Sequence, residues 1–272
     1  MAAVQAPPVG LLPAAGRGVR FGSSGYAKEL FPLLFEGEEQ AEAAPRPIGE
    51  LALRAIRAAG AERCVVVVSS EKAEVVRVFG DGASVGMSLA YVVQPEPKGL
   101  PHALRCAAGW LAGADVVFAM PDTVFLPEKG LAQVHAARIA QGAALALGVF
   151  PAAEPERLGP VELGPGGAVT RILDKPKGPA PKNTWGIASW SARFTDFCCA
   201  WDAREEARGS ERALGHAFEA ARVAGLPVTA LAFDEGAFLD VGTPRGLRAA
   251  LTALAERGVL ASGQAAAAKR KA

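Results

Sequence analysis

The sequence has few of the residues that build metal or redox centres, with four cysteines and three histidines among 272 residues. The cysteines show no C-x-x-C spacing and the histidines show no ligand spacing. We therefore expect reduced thiols and assign the histidines no chemistry. These residues are Cys64, Cys106, Cys198, Cys199, His102, His135 and His216.

The chain also lacks a surplus of charge and any long apolar run. Twenty-nine basic residues against 28 acidic residues leave a formal net charge of +1, without the basic stripe of a nucleic-acid binder. No apolar stretch reaches the ~18 residues of a membrane span, and residues 1–9 lack the features of a secretory signal. The composition predicts a soluble cytoplasmic protein that binds neither nucleic acid nor membrane.

Buried-strand patterns alternate with helical patterns over residues 9–150. The runs "PVGLLPAA", "CVVVVSS", "DVVFAM" and "AALALGVF" are typical of strands that are covered on both faces. Helical spacing separates them, as in "IGELALRAIRAAG" and "KGLAQVHAARIAQG". This alternation predicts an α/β fold with a doubly wound, mostly parallel, Rossmann-like sheet and helices on both faces.

The second half of the chain has a different pattern. "GPVEL" and "AVTRIL" flank "GPGG", which predicts a hairpin, and "TWGIASWS" follows a Pro-rich loop. We expect a smaller antiparallel part over residues 151–250. Residues 1–260 are predicted to form a single domain, and residues 261–272 a flexible tail.

A Gly-rich loop with three cations follows the first predicted strand. Gly16 and Gly18 lie beside Arg17 and Arg20, and Lys28 comes shortly after them. Glycines allow backbone N–H groups to approach an anion, and Arg and Lys bind phosphate oxygens. The loop fits neither the dinucleotide nor the P-loop spacing. It is either a triphosphate cradle or a solvated turn.

The residues "PAAGRGVRF … AKELFPL" resemble the signature of sugar-1-phosphate nucleotidyltransferases, especially the glucose-1-phosphate thymidylyl- and uridylyltransferases. The resemblance implies that Ala15, Gly16 and Gly18 wrap a nucleoside triphosphate. It also implies that Arg20 and Lys28 bind its phosphates and stabilise the transition state. Val19 stands where the family usually has Thr.

Further windows resemble the same family in the same order. The stretch "QPEPKGLPHAL" implies that Gln94 and Gly99 read the nucleobase, and a Gln amide offers both a donor and an acceptor to thymine or uracil. The alternative for Gln94 is a hydrogen bond to the backbone at the end of the strand. "MPDTVF" and "FLDVGTP" imply that Asp122 and Asp240 bind Mg²⁺, with Asp122 also catalytic. For each Asp the alternative is a turn or helix cap.

Three later windows resemble the sugar side of the family. "ERLGPVEL" implies a sugar-contacting Gly159, and "TWGIASWS" contributes Gly186. "ILDKPKG" resembles the family's E-K-P, with Asp174 in place of Glu and Lys175 on the sugar phosphate as a catalytic residue. The alternative for Lys175 is an exposed loop lysine. Residues 9–150 are thus expected to bind the nucleotide and residues 151–250 the sugar phosphate.

The resemblance implies a Mg²⁺-dependent transfer of a thymidylyl or uridylyl group from dTTP or UTP to a hexose 1-phosphate. Two alternatives stay open: a cytidylyltransferase acting on a polyol phosphate, and a non-catalytic homologue that binds nucleotide sugar. Val19, Pro121 and Asp174, which depart from the family pattern, favour the second alternative. The sequence leaves the nucleobase, the sugar and the oligomeric state open, a homo-oligomer included.

Overall fold

The computed structural model describes residues 6–16, 27–33, 45–207 and 212–256, in which strands and helices alternate. The strands are β1 (Val9–Pro13), β2 (Pro32–Leu33), β3 (Arg46–Pro47), β4 (Arg63–Val68), β5 (Ser88–Val93), β6 (Val116–Phe118), β7 (Thr123–Leu126), β8 (Leu145–Pro151), β9 (Val161–Leu163), β10 (Val169–Ile172), β11 (Asn183–Trp190), β12 (Val228–Ala232) and β13 (Ala237–Asp240). The helices are α1 (Glu50–Ala58), α2 (Ala73–Phe79), α3 (Leu100–Leu111), α4 (Gly130–Ala140), α5 (Ala192–Ala207), α6 (Leu214–Val223) and α7 (Pro244–Glu256).

A seven-stranded sheet forms the centre of the molecule, in the order β12-β8-β11-β6-β1-β4-β5. Strand β1 pairs in parallel with β4 and β6, β4 pairs in parallel with β5, and β8 pairs in parallel with β12. Strand β11 runs antiparallel to both of its neighbours, β6 and β8. The mostly parallel α/β sheet predicted from the sequence is confirmed.

Both faces of this sheet are buried, because successive side chains of a strand point to opposite faces. In β1, Leu11 belongs to one apolar cluster and Leu12 to the other, and in β4 Val65 and Val66 divide in the same way. Helices α3, α5 and α6 cover the first face, and α1, α2 and α4 cover the second. The continuous apolar strand runs of the sequence follow from this double burial.

The smaller antiparallel part predicted for the second half of the chain is present as separate small sheets beside the central sheet. The hairpin predicted around "GPGG" is present as β9 and β10. Strands β11 and β12, however, join the central sheet, because their apolar faces complete the two cores. The predicted division near residue 150 stays a prediction.

Besides the β9–β10 hairpin, two further small antiparallel pairs lie outside the central sheet. Strand β13 pairs with β7, and β2 pairs with β3. Helix α7 packs Leu247, Ala250 and Leu254 on Val124 of β7 and on Val241, just after β13. This third apolar cluster packs α7, which ends the described residues, against β7.

Two further expectations concern the cysteines and membranes. All four cysteines are free, as the sequence predicted. Among the helices of the described segments, none combines the length and the apolar character needed to cross a bilayer.

Candidate functional site

A cavity of about 270 Å³ lies at the carboxyl ends of β1, β4, β5 and β6. Open α/β sheets bind ligands at this edge, where the loops that leave parallel strands meet. The predicted site residues that line it are Ala15, Gly16, Lys28, Gln94, Gly99 and Asp122. They come from four separate loops, so the fold brings together most of the nucleotide residues expected from the sequence. Gly18 and Arg20 lie outside the described residues.

Lys28 pairs with Asp122 at one wall of the cavity. Its Nζ donates a hydrogen bond to Asp122 Oδ2, and the two side chains are 13% and 15% exposed. Lys28 begins a short 3-10 turn. A backbone hydrogen bond holds this turn in place, because the Glu29 carbonyl accepts the N–H of Gly49 at 2.9 Å. The pair places a cation and an anion on the same wall of the cavity.

A buried lysine that the sequence patterns did not indicate lies beside this pair. The Lys72 Nζ donates to Glu29 Oε1 at 2.6 Å and to the carbonyl oxygen of Ala14 at 2.9 Å. Lys72 and Glu29 both line the cavity, and their side chains are 10% and 1% exposed. Lys72 therefore ties the end of β1, where the Gly-rich loop begins, to the turn that carries Lys28.

Gln94 follows β5 and contacts two neighbours. Its Nε2 donates to the Gly99 carbonyl oxygen at 3.1 Å and lies 2.9 Å from His102 Nδ1. Gly99 has a φ of +91°, and a Cβ there would lie 2.5 Å from the carbonyl oxygen of Arg212, so glycine is required at this position. Burial, together with the charge of Arg105, lowers the pKa of His102.

Asp122 directly precedes β7 and Asp240 ends β13, the strand paired with β7, although 118 positions separate the two residues in the printed sequence. Asp240 pairs with Thr123, and the N–H of Val241 donates to the carbonyl oxygen of Asp122 at 2.9 Å. The Asp240 Oδ1 accepts the N–H of Gly242 at 2.8 Å. The fold thus brings the two predicted metal ligands to one end of the β7–β13 pair.

The sugar-side residues form a second group. Lys175 is exposed at a φ of +42°, and its N–H donates to the carbonyl oxygen of Leu158 at 2.8 Å, next to Gly159. Gly159 is buried where a Cβ would overlap Nε1 of Trp185. The Asp174 Oδ2 lies 3.8 Å from His216 Nε2. Three of the four predicted sugar residues, Gly159, Asp174 and Lys175, are therefore neighbours.

The segment 212–215 lies between the two groups. The carbonyl oxygen of Arg212 approaches Gly99, and a Cβ on Gly215 would lie 3.6 Å from Asp174 Oδ1. Gly186, the fourth sugar residue, is buried in β11, where a Cβ would overlap the ring of Phe238 in β13. Its glycine lets β13 approach the central sheet, and a contact with a sugar stays a prediction.

The residues at the candidate site that the sequence did not indicate are Lys72, Glu29 and His102. Lys72 follows the buried run "CVVVVSS", so its place after a parallel strand was a usable signal. Glu29 stands inside the quoted "AKELFPL" and His102 inside "GLPHAL". Their partners lie elsewhere in the chain, and only the fold reveals them.

The chain is an α/β protein with a mostly parallel sheet and a cavity at the carboxyl ends of its strands. The candidate ligand site is built from the loops that follow these strands. The chain belongs to the nucleotidyl transferase family, because the family model described as "Nucleotidyl transferase" matches residues 23–257.

Relatives with assigned names match part of this chain. A glucose-1-phosphate thymidylyltransferase of Streptomyces griseus is 32% identical over 155 residues, which cover 56% of this chain and 40% of that protein. The low-salt glycan biosynthesis nucleotidyltransferase Agl11 of Haloferax volcanii is 25% identical over 159 residues, which cover 58% of this chain and 44% of that protein. The matches thus span about half the length of these curated relatives or less.

A solved structure supports the fold. The UDP-glucose pyrophosphorylase of Acinetobacter baumannii superposes with a TM-score of 0.76 at 20% identity, covering 98% of this chain and 100% of that one. At this identity the likeness shows the architecture alone.

Proposed function

We propose that the chain transfers a nucleotidyl group from UTP or dTTP to a hexose 1-phosphate and releases pyrophosphate. The observation that carries the proposal is the cavity lined by Lys28, Gln94, Gly99 and Asp122, with Asp240 on the strand beside Asp122. Family membership and the names of the matching relatives support the same reaction class.

The proposed reaction joins two polyanions. A phosphate oxygen of the sugar phosphate forms a bond to the α-phosphorus of the triphosphate, and the bond from that phosphorus to pyrophosphate breaks, with the electron pair leaving on pyrophosphate. The barrier lies mainly in positioning the two anions and in stabilising spreading charge. Side chains that hold phosphates can therefore catalyse the step without a covalent intermediate.

The described residues divide these tasks between the two groups. Gln94 and Gly99 bind the base, and backbone at Ala15 and Gly16 follows the triphosphate. The Lys28 ammonium binds a phosphate oxygen when the nucleotide enters. On the sugar side, Lys175 holds the sugar phosphate and reduces the repulsion between the reactants.

The residues present fit a magnesium ion. Carboxylate oxygens are the ligands that Mg²⁺ prefers, and it usually takes one or two of them together with water and phosphate oxygens. Asp122 and Asp240 supply two carboxylates, and within the described ranges no three His, Cys, Asp or Glu side chains group as a metal site. When bound, Mg²⁺ would supply positive charge to the phosphate oxygens. Before Mg²⁺ binds, the Lys28 ammonium neutralises the charge of the Asp122 carboxylate.

The test is pyrophosphate release from UTP, dTTP or CTP with glucose 1-phosphate and Mg²⁺. We expect release with UTP or dTTP, and we expect Asp240→Asn to lower kcat/KM about 100-fold or more, the scale of a lost electrostatic contact to the transition state. The matched control is Asp234→Asn, which changes an exposed carboxylate six positions earlier and should leave the rate unchanged. Absence of release with every nucleotide, or equal rates for the two variants, would refute the proposal.

A further inference from the structure

The amide of Gln94 has a defined orientation in the cavity. Its Nε2 lies 3.1 Å from the carbonyl oxygen of Gly99 and 2.9 Å from Nδ1 of His102. Oxygen and nitrogen of an amide are told apart by their partners. A carbonyl oxygen only accepts hydrogen bonds, so the amide atom that faces Gly99 is the nitrogen.

This orientation uses both amide hydrogens. One amide hydrogen is donated to the carbonyl oxygen of Gly99 and the other to Nδ1 of His102. The Nδ1 atom must then carry no proton, because it accepts this hydrogen bond. The ring proton of the neutral imidazole is on Nε2, which lies 3.9 Å from the Sγ of Cys106. Gln94 is 5% exposed and His102 is 7% exposed, so the protein encloses both side chains.

We propose that His102 is a positioning residue that holds the Gln94 amide so that only its acceptor, Oε1, is offered to a nucleobase. The site then selects bases that carry a hydrogen on N3, which are uracil and thymine, against cytosine. This inference rests on the proposed function, since it assumes that a nucleotide base occupies the cavity.

The selection follows from the pattern of donors and acceptors. The N3–H of uracil or thymine donates to Oε1. Cytosine has a lone pair at N3, so the same placement would bring two acceptors together, and a buried polar group without a partner weakens binding. Without His102, one of the two acceptors that orient the amide is lost, so the amide would offer its N–H₂ to cytosine more often and the selection would weaken.

The surroundings of His102 keep the ring neutral. Burial and the guanidinium groups of Arg105 and Arg212 lower its pKa, while the carboxylates of Asp202 and Glu206 oppose them. Those two carboxylates are engaged with the arginines themselves, because Arg212 lies 2.7 Å from Asp202 Oδ1 and Arg105 pairs with Glu206. The acceptor at Nδ1 is therefore available at neutral pH.

The experiment measures binding of UTP and of CTP by titration calorimetry to the full chain and three variants. His102→Leu removes the acceptor at similar size, His102→Asn retains an acceptor near the position of Nδ1, and Cys106→Ala is the control on the other side of the ring. We expect the wild type to prefer UTP. His102→Leu should lower the UTP-to-CTP affinity ratio about fivefold, the effect of one hydrogen bond. His102→Asn and Cys106→Ala should retain the ratio within about twofold.

A purely structural role gives a different result. If His102→Leu weakens both nucleotides equally, or if His102→Asn behaves as His102→Leu, the inference is wrong. A wild type that binds UTP and CTP equally also overturns it but leaves the proposed function standing. A wild type that binds neither nucleotide refutes the proposed function itself, and the inference with it.

A second measurement needs no variant. The ¹⁵N shifts of the His102 ring in the wild type report which nitrogen carries the proton. We expect a protonated Nε2 and an unprotonated Nδ1 at pH 7. A proton on Nδ1 overturns the inference, whether or not a nucleotide binds.

Discussion

Replacement of Lys72 by Met should destabilise the protein more than the loss of an ordinary ion pair. The Lys72 Nζ binds Glu29 Oε1 at 2.6 Å, and the Glu29 side chain is 1% exposed. Lys72→Met would leave this carboxylate buried without its cation and the Ala14 carbonyl without its donor. Breaking a buried pair from one side costs about 3–5 kcal/mol, which is a large part of the ~5–15 kcal/mol of a typical domain.

Urea unfolding, followed by tryptophan fluorescence, measures this loss. The double variant Lys72→Met/Glu29→Met removes both charges and should recover at least about 2 kcal/mol of it, because no buried charge stays unpaired. The control is Arg157→Met, since Arg157 is 72% exposed in its pair with Glu154 and should change stability by less than about 1 kcal/mol. A loss for Lys72→Met no larger than that of Arg157→Met would mean that water reaches Glu29, and the reasoning would fail.

Three further outcomes are expected. Gly99→Ala would place a Cβ 2.5 Å from the carbonyl oxygen of Arg212, on a backbone with a φ of +91°. It should therefore lower the free energy of unfolding in urea by about 1–3 kcal/mol and weaken UTP binding. An unchanged free energy of unfolding and an unchanged UTP affinity would contradict this geometry. Gly159→Ala should cost about 1–3 kcal/mol through overlap with Trp185, and an unshifted urea midpoint would refute that contact. Burial raises the pKa of Tyr91 to about 12. Above pH 10 the folded state therefore keeps the hydroxyl proton of Tyr91 while the unfolded state loses it, so stability should fall as pH rises from 10 towards 12. In an absorbance titration at alkaline pH, Tyr91→Phe should remove the late step, and its persistence would show that the assignment is wrong.

The sequence predicts the central sheet well because burial on both faces leaves a strong pattern. Runs such as "CVVVVSS" become β4, and "IGELALRAIRAAG" becomes α1. Helix α5 was not predicted. Its buried face includes the charged Asp202, which is 0% exposed and paired with Arg212, so the apolar spacing that identifies a helix is interrupted there.

Strand β11 shows a second limit of sequence reasoning. Its run "NTWGIASW" predicts a strand, but the neighbours of a strand depend on contacts far along the chain. In the structure β11 lies between β6 and β8, antiparallel to both. The hairpin of β9 and β10 was predictable, because its turn "GPGG" is local.

The candidate site was predictable where a residue directly follows a parallel strand. Gln94 follows β5, and Asp122 lies shortly after β6, so the position of each already places it at the carboxyl edge. Lys72 and His102 were missed because their meaning depends on partners. Lys72 pairs with Glu29 and Ala14, which are 43 and 58 positions away. Such pairs exist only after the chain has folded.

We propose that the cavity at the carboxyl ends of β1, β4, β5 and β6 binds a nucleoside triphosphate in one orientation. A crystal structure of the full chain with UTP and Mg²⁺ would show where the nucleotide binds. We expect the uracil ring against Gln94 and Gly99, and the triphosphate between the Gly16 loop and Lys28, beside Asp122 and Asp240. A nucleotide bound elsewhere on the molecule, or one whose phosphates lie at Gln94, would contradict it.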